Sequence, residues 1–270
     1  MPSPIGNPSE AVCLVQLTDS HLYALGHADL LGLDTSASLN AVIELVRSEV
    51  PDIDLILATG DIAQDASESA YRRFIAAVAT LPAPCHWIPG NHDDAALMGR
   101  IGSDVGFTQE WVDAGNWRIV LLDSSVAGSV AGYLAPDQLE LLERALDSAG
   151  ERFIMVCLHH HPVPIGCDWM DPLGLLNVDD LLPRLRLDNR VKVVLWGHVH
   201  QELDEQLDGL RLLATPSTCV QFARHSVDFA TDTQAPGYRR FALLPDGSIE
   251  TRVSRLEAGL FLPEPGAVGY

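Results

Sequence analysis

Val12-Cys13-Leu14-Val15-Gln16-Leu17 is an almost unbroken apolar run, and just beyond it stands Asp19-Ser20-His21. The arrangement recurs four times along the chain. Leu55-Ile56-Leu57-Ala58 leads into Gly60-Asp61, and Trp87-Ile88 into Gly90-Asn91-His92-Asp93. Phe153-Ile154-Met155-Val156-Cys157-Leu158 leads into His159-His160-His161, and Val191-Lys192-Val193-Val194-Leu195-Trp196 into Gly197-His198-Val199-His200. Short apolar runs of this kind read as strands buried on both faces. Between them lie helical patterns. Ser38 to Glu49 carries Leu39, Val42, Ile43 and Val46 on one face, and Ser67 to Thr80 carries Tyr71, Phe74, Ile75 and Val78. Pro136 to Ala149 carries Leu139, Leu142 and Leu146, with proline in its first turn. Strand and helix in alternation predict a layered α/β fold, where ligands collect beyond the carboxyl ends of the strands.

No Gly/Ser-rich, Pro-rich or low-complexity stretch divides the 270 residues, and no fixed-period repeat is visible. The polar groups run from Asp19 to His200, so a domain boundary between them would split the site. One domain over residues 1–270 is expected, with its core over residues 13–256 and an irregular Pro- and Gly-rich tail at 257–270. After His200 the pattern turns to short strands at Leu210 to Ala214, Tyr238 to Leu244 and Ser248 to Val253, the last two joined by a Pro245-Asp246-Gly247 turn. With Trp117 to Leu122, these are expected to build a second sheet packed on the first.

The bulk numbers restrict the partners. A net charge of −20 argues against nucleic-acid polymers and anionic membranes. No apolar run is long enough to span a bilayer, and the first dozen residues hold no Lys, Arg or long apolar core, so no secretory signal is read. Five cysteines, an odd number with no Cys-x-x-Cys pair, read as reduced thiols in a cytoplasmic protein. A phosphate ligand still fits this acidic chain. Two divalent cations set against Asp19, Asp61 and a bridging hydroxide leave the pocket at about +1, which suits a singly charged phosphodiester.

The residue types agree with that chemistry. Asp19 and His21, two positions apart on extended chain, point to the same side and can share one ion. The carboxylate of Asp61 has two oxygens and can bridge two ions, which in two-metal hydrolases lie roughly 3.5–4 Å apart. Asn91 offers an amide oxygen, and His159, His198 and His200 offer imidazole nitrogens. This nitrogen and oxygen shell suits Fe, Mn, Zn or Co, and availability rather than sequence chooses among them. Singly, each group has a bland reading: Asp-x-His by chance, His-x-His as a surface pair, Gly-Asn-His-Asp as a turn. In this order, each behind a strand, they point to a dinuclear site.

Three longer stretches carry a resemblance. They are Ala58 to Asp65 (ATGDIAQD), His159 to Cys167 (HHHPVPIGC), and the segment from Gly197 through Gln201-Glu202-Leu203-Asp204 to Thr215-Pro216-Ser217-Thr218-Cys219-Val220-Gln221-Phe222. Over roughly residues 13–256 the chain resembles the calcineurin-like metallophosphoesterases, and within them the bacterial 3′,5′-cyclic AMP phosphodiesterase (CpdA) family. The resemblance implies two packed mixed β-sheets flanked by helices, a four-layer αββα sandwich. It implies one metal on Asp19, His21, Asp61 and His200, and a second on Asp61, Asn91, His159 and His198. His160 and His161 are then supporting or packing residues. It further implies hydrolysis of cyclic AMP to 5′-AMP by a bridging hydroxide, with His92 as general acid and His21, Asp61, Asn91, His92 and His200 as substrate contacts. Asp93 would orient His92 or a nearby group, or act as a cap. The chain would lower intracellular cyclic AMP, as a monomer or homodimer.

Protein phosphatases of this superfamily carry Arg in the second motif to grip a phosphomonoester. Here Asp61-Ile62-Ala63-Gln64-Asp65 has none, which favours diesters. Asn177, Trp169 and Met170 are candidate nucleoside contacts. Another small phosphodiesterase, for glycerophosphodiesters or 2′,3′-cyclic nucleotides, is the alternative reading, and a non-catalytic metal-binding scaffold a third.

Overall fold

The computed structural model describes residues 5–267 and residue 269; residues 1–4, 268 and 270 of the expected 1–270 span lie outside the described residues. In β1 (Val12–Leu17) and β4 (Leu55–Thr59) successive side chains face opposite ways, and both faces are apolar. Leu14, Leu55 and Leu57 enter a layer shared with Trp117, Met155 and Val193. Val15, Ile56 and Ala58 face the other way, against Val42, Phe74 and Met98. A sheet that is apolar on both faces needs cover on both, and that requirement produces the sandwich.

One sheet has the order β13 (Ile249–Arg255), β12 (Gly237–Leu243), β1, β4, β5 (Cys85–Ile88). The other runs β10 (Leu203–Leu207), β11 (Leu210–Ala214), β9 (Val191–Trp196), β8 (Phe153–Cys157), β7 (Trp117–Leu121), β6 (Trp111–Ala114). A two-residue pair, β2 (Asp29–Leu30) with β3 (Leu33–Asp34), precedes the first helix. Helices α1 (Thr35–Glu49), α2 (Glu68–Val78) and α3 (Ala95–Val105) cover the outer face of the first sheet through Leu39, Tyr71 and Ile101. Helices α4 (Pro136–Asp147) and α5 (Val178–Leu187) cover the second through Leu142 and Leu185. The four expected layers are present. Strands β1, β4 and β5 run parallel, as do β7, β8 and β9, so the turns after β1, β4, β5, β8 and β9 supply the candidate residues.

The helices start at their caps. The Asp34 side chain accepts from Ala37 N at 2.8 Å, so α1 begins three residues before Ser38. Ser67 caps α2 in the same way. Two helices escape the sequence reading for local reasons: α3 contains Gly99 and Gly102, and α5 contains Pro183. One expectation is corrected. The strands near Tyr238–Leu244 and Ser248–Val253 do not join the second sheet; β12 pairs antiparallel with β1, and β13 with β12. The cause is burial on both faces of β12, where Phe241 and Leu243 fill the space between the sheets and Tyr238 packs on the other side. Only β11 and β7 join the second sheet as expected. Residues 257–267 form no helix or strand, and Glu264 N donates to Leu31 O at 2.7 Å.

Candidate metal centre

Asp19, His21, Asp61, His198 and His200 have φ of 54, 45, 48, 65 and 49°. They are five of the ten non-glycine residues with positive φ among the described residues, so the strain concentrates on the expected ligands. Each such residue costs about 1–3 kcal/mol, which persists only where surrounding structure overdetermines it. Here Asp19 N donates to Gly60 O at 3.0 Å and His21 N to Asp61 O at 2.9 Å, tying the two turns together. Gly60 itself has φ 96°, and a Cβ there would collide with the His159 ring; one at Gly90 would collide with the Asp61 carboxylate. Both glycines are dictated by close approach.

The structure brings all seven expected ligands into one cluster, six of them buried and Asn91 partly exposed. On one side, His200 Nε2 lies 3.5 Å from Asp19 Oδ1 and 3.1 Å from His21 Nε2. On the other, His159 Nε2 lies 3.3 Å from Asp61 Oδ2 and 3.2 Å from Asn91 Oδ1. The His198 ring centroid is 5.0 Å from that of His159. Asp61 joins the halves, with Oδ2 also 3.8 Å from His21 Nε2.

The four imidazoles are oriented from behind. His159 donates Nδ1–H to Thr59 O at 2.7 Å, and His200 donates Nδ1–H to Val220 O at 2.7 Å. His198 uses Nε2 on Leu173 O at 3.1 Å, which leaves Nδ1 as the nitrogen available to an ion. His21 uses Nδ1 on Gln64 Oε1 at 2.5 Å. Each tautomer follows from a carbonyl oxygen that can only accept. Such partners are the usual support of metal-bound histidine.

These tautomers also test the fit to a cation. His21 and His200 face each other at 3.1 Å through nitrogens that both carry lone pairs. A proton would relieve the repulsion, but burial pulls the His21 pKa down to about 3 despite nearby Asp61. A cation accepts both lone pairs at once, and the remaining donors (carboxylate, imidazole, amide oxygen) have the same chemistry. The residues fit the two-metal occupancy that the fold family implies.

Asp61 would be raised by burial, yet His159, His21 and His92 hold its carboxyl well below the usual range. The same attraction overcomes burial at His159 and lifts it to about 9. Without metal, Asp61 is thus paired with a protonated His159, and metal entry must expel that proton.

Neighbouring residues separate into distinct roles. The His92 ring packs edge-on against His21, 5.0 Å between centroids, and its backbone N donates to Asp61 Oδ1 at 2.9 Å. Asp93 accepts from the backbone N–H groups of Ile62, Ala63 and Gly90 at 2.9–3.1 Å, clamping the Asp61 turn to the Asn91 turn. His160 lies near His159 and His198 but spends Nδ1 on Ser124 Oγ and Nε2 on Val130 O. His161 stacks on His198 at 5.7 Å.

The three nucleoside candidates each have partners within the fold, and Phe222, on which Trp169 packs, stacks on His200. Asn177 pairs with both backbone groups of Leu134, Met170 is buried in the core, and Trp169 packs on Phe222 and Phe229 while its Nε1–H donates to Ser226. Sequence reading missed Gln64 as a support, because that motif was read only for its lack of Arg. The backbone carbonyls of Thr59, Leu173 and Val220 carry no sequence signal at all.

Several known proteins resemble this chain. The family model for calcineurin-like phosphoesterase matches residues 14–202. The chain is 54% identical to the 3′,5′-cyclic adenosine monophosphate phosphodiesterase CpdA of Pseudomonas aeruginosa, over 96% of both chains. It is 47% identical to the protein of that name from Escherichia coli (strain K12), over 96% of this chain and 95% of that one. Among solved structures, a dimetal phosphatase from Danio rerio superposes with a TM-score of 0.61 at 18% identity, covering 91% of this chain and 99% of that one, a likeness of fold. By family model and by relatives alike, the chain belongs to the calcineurin-like phosphoesterase family.

Proposed function

We propose that the chain hydrolyses 3′,5′-cyclic AMP to 5′-AMP and so lowers cyclic AMP inside the cell. The observation that carries this is near-full-length identity of 54% and 47% to relatives named as cyclic AMP phosphodiesterases, joined to an Asp, Asn and His cluster of two-metal type. One ion is assigned to Asp19, His21, Asp61 and His200, and the second to Asp61, Asn91, His159 and His198. Fe or Mn is the expected metal, with Zn or Co as substitutes. When bound, such ions supply Lewis acidity toward the phosphate oxygens and lower the pKa of water into the neutral range.

The chain's own residues do the rest. Asp61 sets the spacing of the two halves. Asp19 accepts the His198 backbone N–H with both oxygens, at 3.0 and 3.1 Å, and so holds the turn that carries His198 and His200. His92, anchored through its backbone to Asp61, delivers a proton to the departing 3′ oxygen. His21, Asp61, Asn91, His92 and His200 border the phosphate. No serine or cysteine nucleophile is needed, so no phosphoenzyme forms. The missing Arg in the Asp61 to Asp65 stretch leaves a dianionic monoester without its clamp, which favours a diester.

Residues 13–256 are taken as one catalytic unit, because the ligand set draws on turns of both sheets. All five cysteines are free thiols, and no helix among the described residues is long and apolar enough to cross a membrane. The free thiols support action in the cytoplasm, and a monomer or homodimer is the assembly expected there. The test is a panel of 3′,5′-cyclic AMP, cyclic GMP, 2′,3′-cyclic AMP and an aryl diester, offered to chelated protein reloaded with iron, manganese or zinc. Turnover of cyclic AMP to 5′-AMP is expected. Preference for 2′,3′-cyclic AMP, or turnover of the aryl diester alone, would overturn the substrate; binding of metal without any turnover would mark a scaffold.

A further inference from the structure

Between α3 and α4, at the carboxyl ends of β5 and β7, lies a cavity of about 420 Å³. Trp87, Pro89, Met98 and Leu141 give it apolar walls, Asp123 and Gln138 add polar groups, and Thr108, Gln109 and Glu110 form a further polar stretch of the lining. Size and lining are those of a small-molecule site, apolar with a few placed polar atoms. It borders the metal cluster in two ways. Pro89 stands two residues before Asn91, and Asp123 is close enough to His159 for their charges to interact.

Asp123 is the feature that wants a ligand. Its carboxylate accepts from Ser125 N at 2.8 Å and Ser125 Oγ at 2.6 Å, and both bonds go to Oδ1. Gln138 Oε1 holds the Asp123 backbone N–H at 2.9 Å, which fixes the side chain's origin. Among the described residues no donor reaches Oδ2, and no cation pairs with the carboxylate. Burial raises the pKa of this group against the lowering effect of the two Ser125 bonds, while Asp137 adds to the rise and His159 opposes it. A half-buried acceptor beside an apolar slot calls for a flat, largely apolar ligand with an N–H donor on its edge.

We propose that this cleft is the base subsite of the nucleotide site and that Asp123 is its adenine-selecting residue. The inference rests on the cyclic nucleotide reading above and names the part of the substrate that reading leaves unplaced. Adenine offers an exocyclic amine to Asp123 Oδ2, whereas guanine presents its O6 acceptor at the same edge. Acceptor facing acceptor, with one of them charged, is the discriminating element.

The experiment compares kcat/KM for 3′,5′-cyclic AMP, cyclic GMP and an aryl phosphodiester that carries no base, in the parent, Asp123→Asn, Asp123→Ala and Gly99→Phe. Gly99 lines the cleft, and a Cβ there meets nothing within 4 Å, so a larger side chain can start from that position without a clash at its root. In Asp123→Ala the ratio of cyclic AMP to aryl diester is expected to fall about 10- to 100-fold, mainly through KM. Asp123→Asn shifts preference toward cyclic GMP, because the amide can donate to O6. Gly99→Phe lowers the same ratio without touching Asp123. If all three variants keep the parent's ratios, or lose both substrates in parallel, the cleft is no base subsite. A parent inactive on cyclic AMP defeats the substrate reading itself, a different result from unchanged ratios in an active parent.

Discussion

His21 donates its Nδ1–H to the side-chain oxygen of Gln64 across 2.5 Å, and this is the only one of the four supporting bonds to the expected histidine ligands that runs to a side chain. Thr59, Leu173 and Val220 use backbone carbonyls, which substitution cannot remove. Gln64→Leu is therefore expected to weaken metal binding by about 10- to 100-fold, the usual effect of losing such a partner. Gln64→Glu keeps the acceptor and retains the metal. Chelator competition with manganese reads this directly, and equal affinities across all three proteins would dismiss Gln64 as a support.

Consecutive histidines separate His159 from His160. His159 turns Nε2 toward Asp61 and Asn91, while both ring nitrogens of His160 are engaged by Ser124 and Val130. Metal content after dialysis should fall in His159→Ala and stay at the parental level in His160→Ala. The opposite pattern would exchange the two assignments.

His92 is expected to serve turnover rather than metal binding. His92→Ala should keep its metals and lose about 10²- to 10⁴-fold in kcat, the usual span for a general acid. Parental kcat in that variant would remove His92 from proton transfer.

A pH effect on stability follows from His86 on β5, away from the metal ligands. Burial lowers its pKa, partly offset by the Phe107 and Gly106 backbone. The unfolded chain titrates near pH 6.5. Below that pH the unfolded state binds a proton that the folded state refuses, so stability is full above about pH 6.5 and falls as the solution is acidified. Urea melts at pH 7.5 and 5.5 should show a smaller loss in His86→Gln than in the parent. An equal loss would place the acid sensitivity elsewhere.

The strand ends were legible because strands buried on both faces leave apolar runs, and ligands must follow them closely. Helices α1, α2 and α4 were legible through their periodic apolar faces. Helices α3 and α5 were not, since two glycines in one and a proline in the other blur the local signal. The sheet membership of β12 was misread, because pairing partner is a non-local choice made by burial on both of its faces.

Chain order alone therefore determined the layered architecture, the ligand types and the turns that carry them, because strand period and donor chemistry are written residue by residue. Tertiary structure alone decided which nitrogen of each histidine turns inward, that Asp93 clamps two turns, that Asn177 serves the backbone of Leu134, and that a cleft opens beside Asp123. Those facts depend on carbonyls and cavities supplied by segments far apart in sequence, and only packing brings them together.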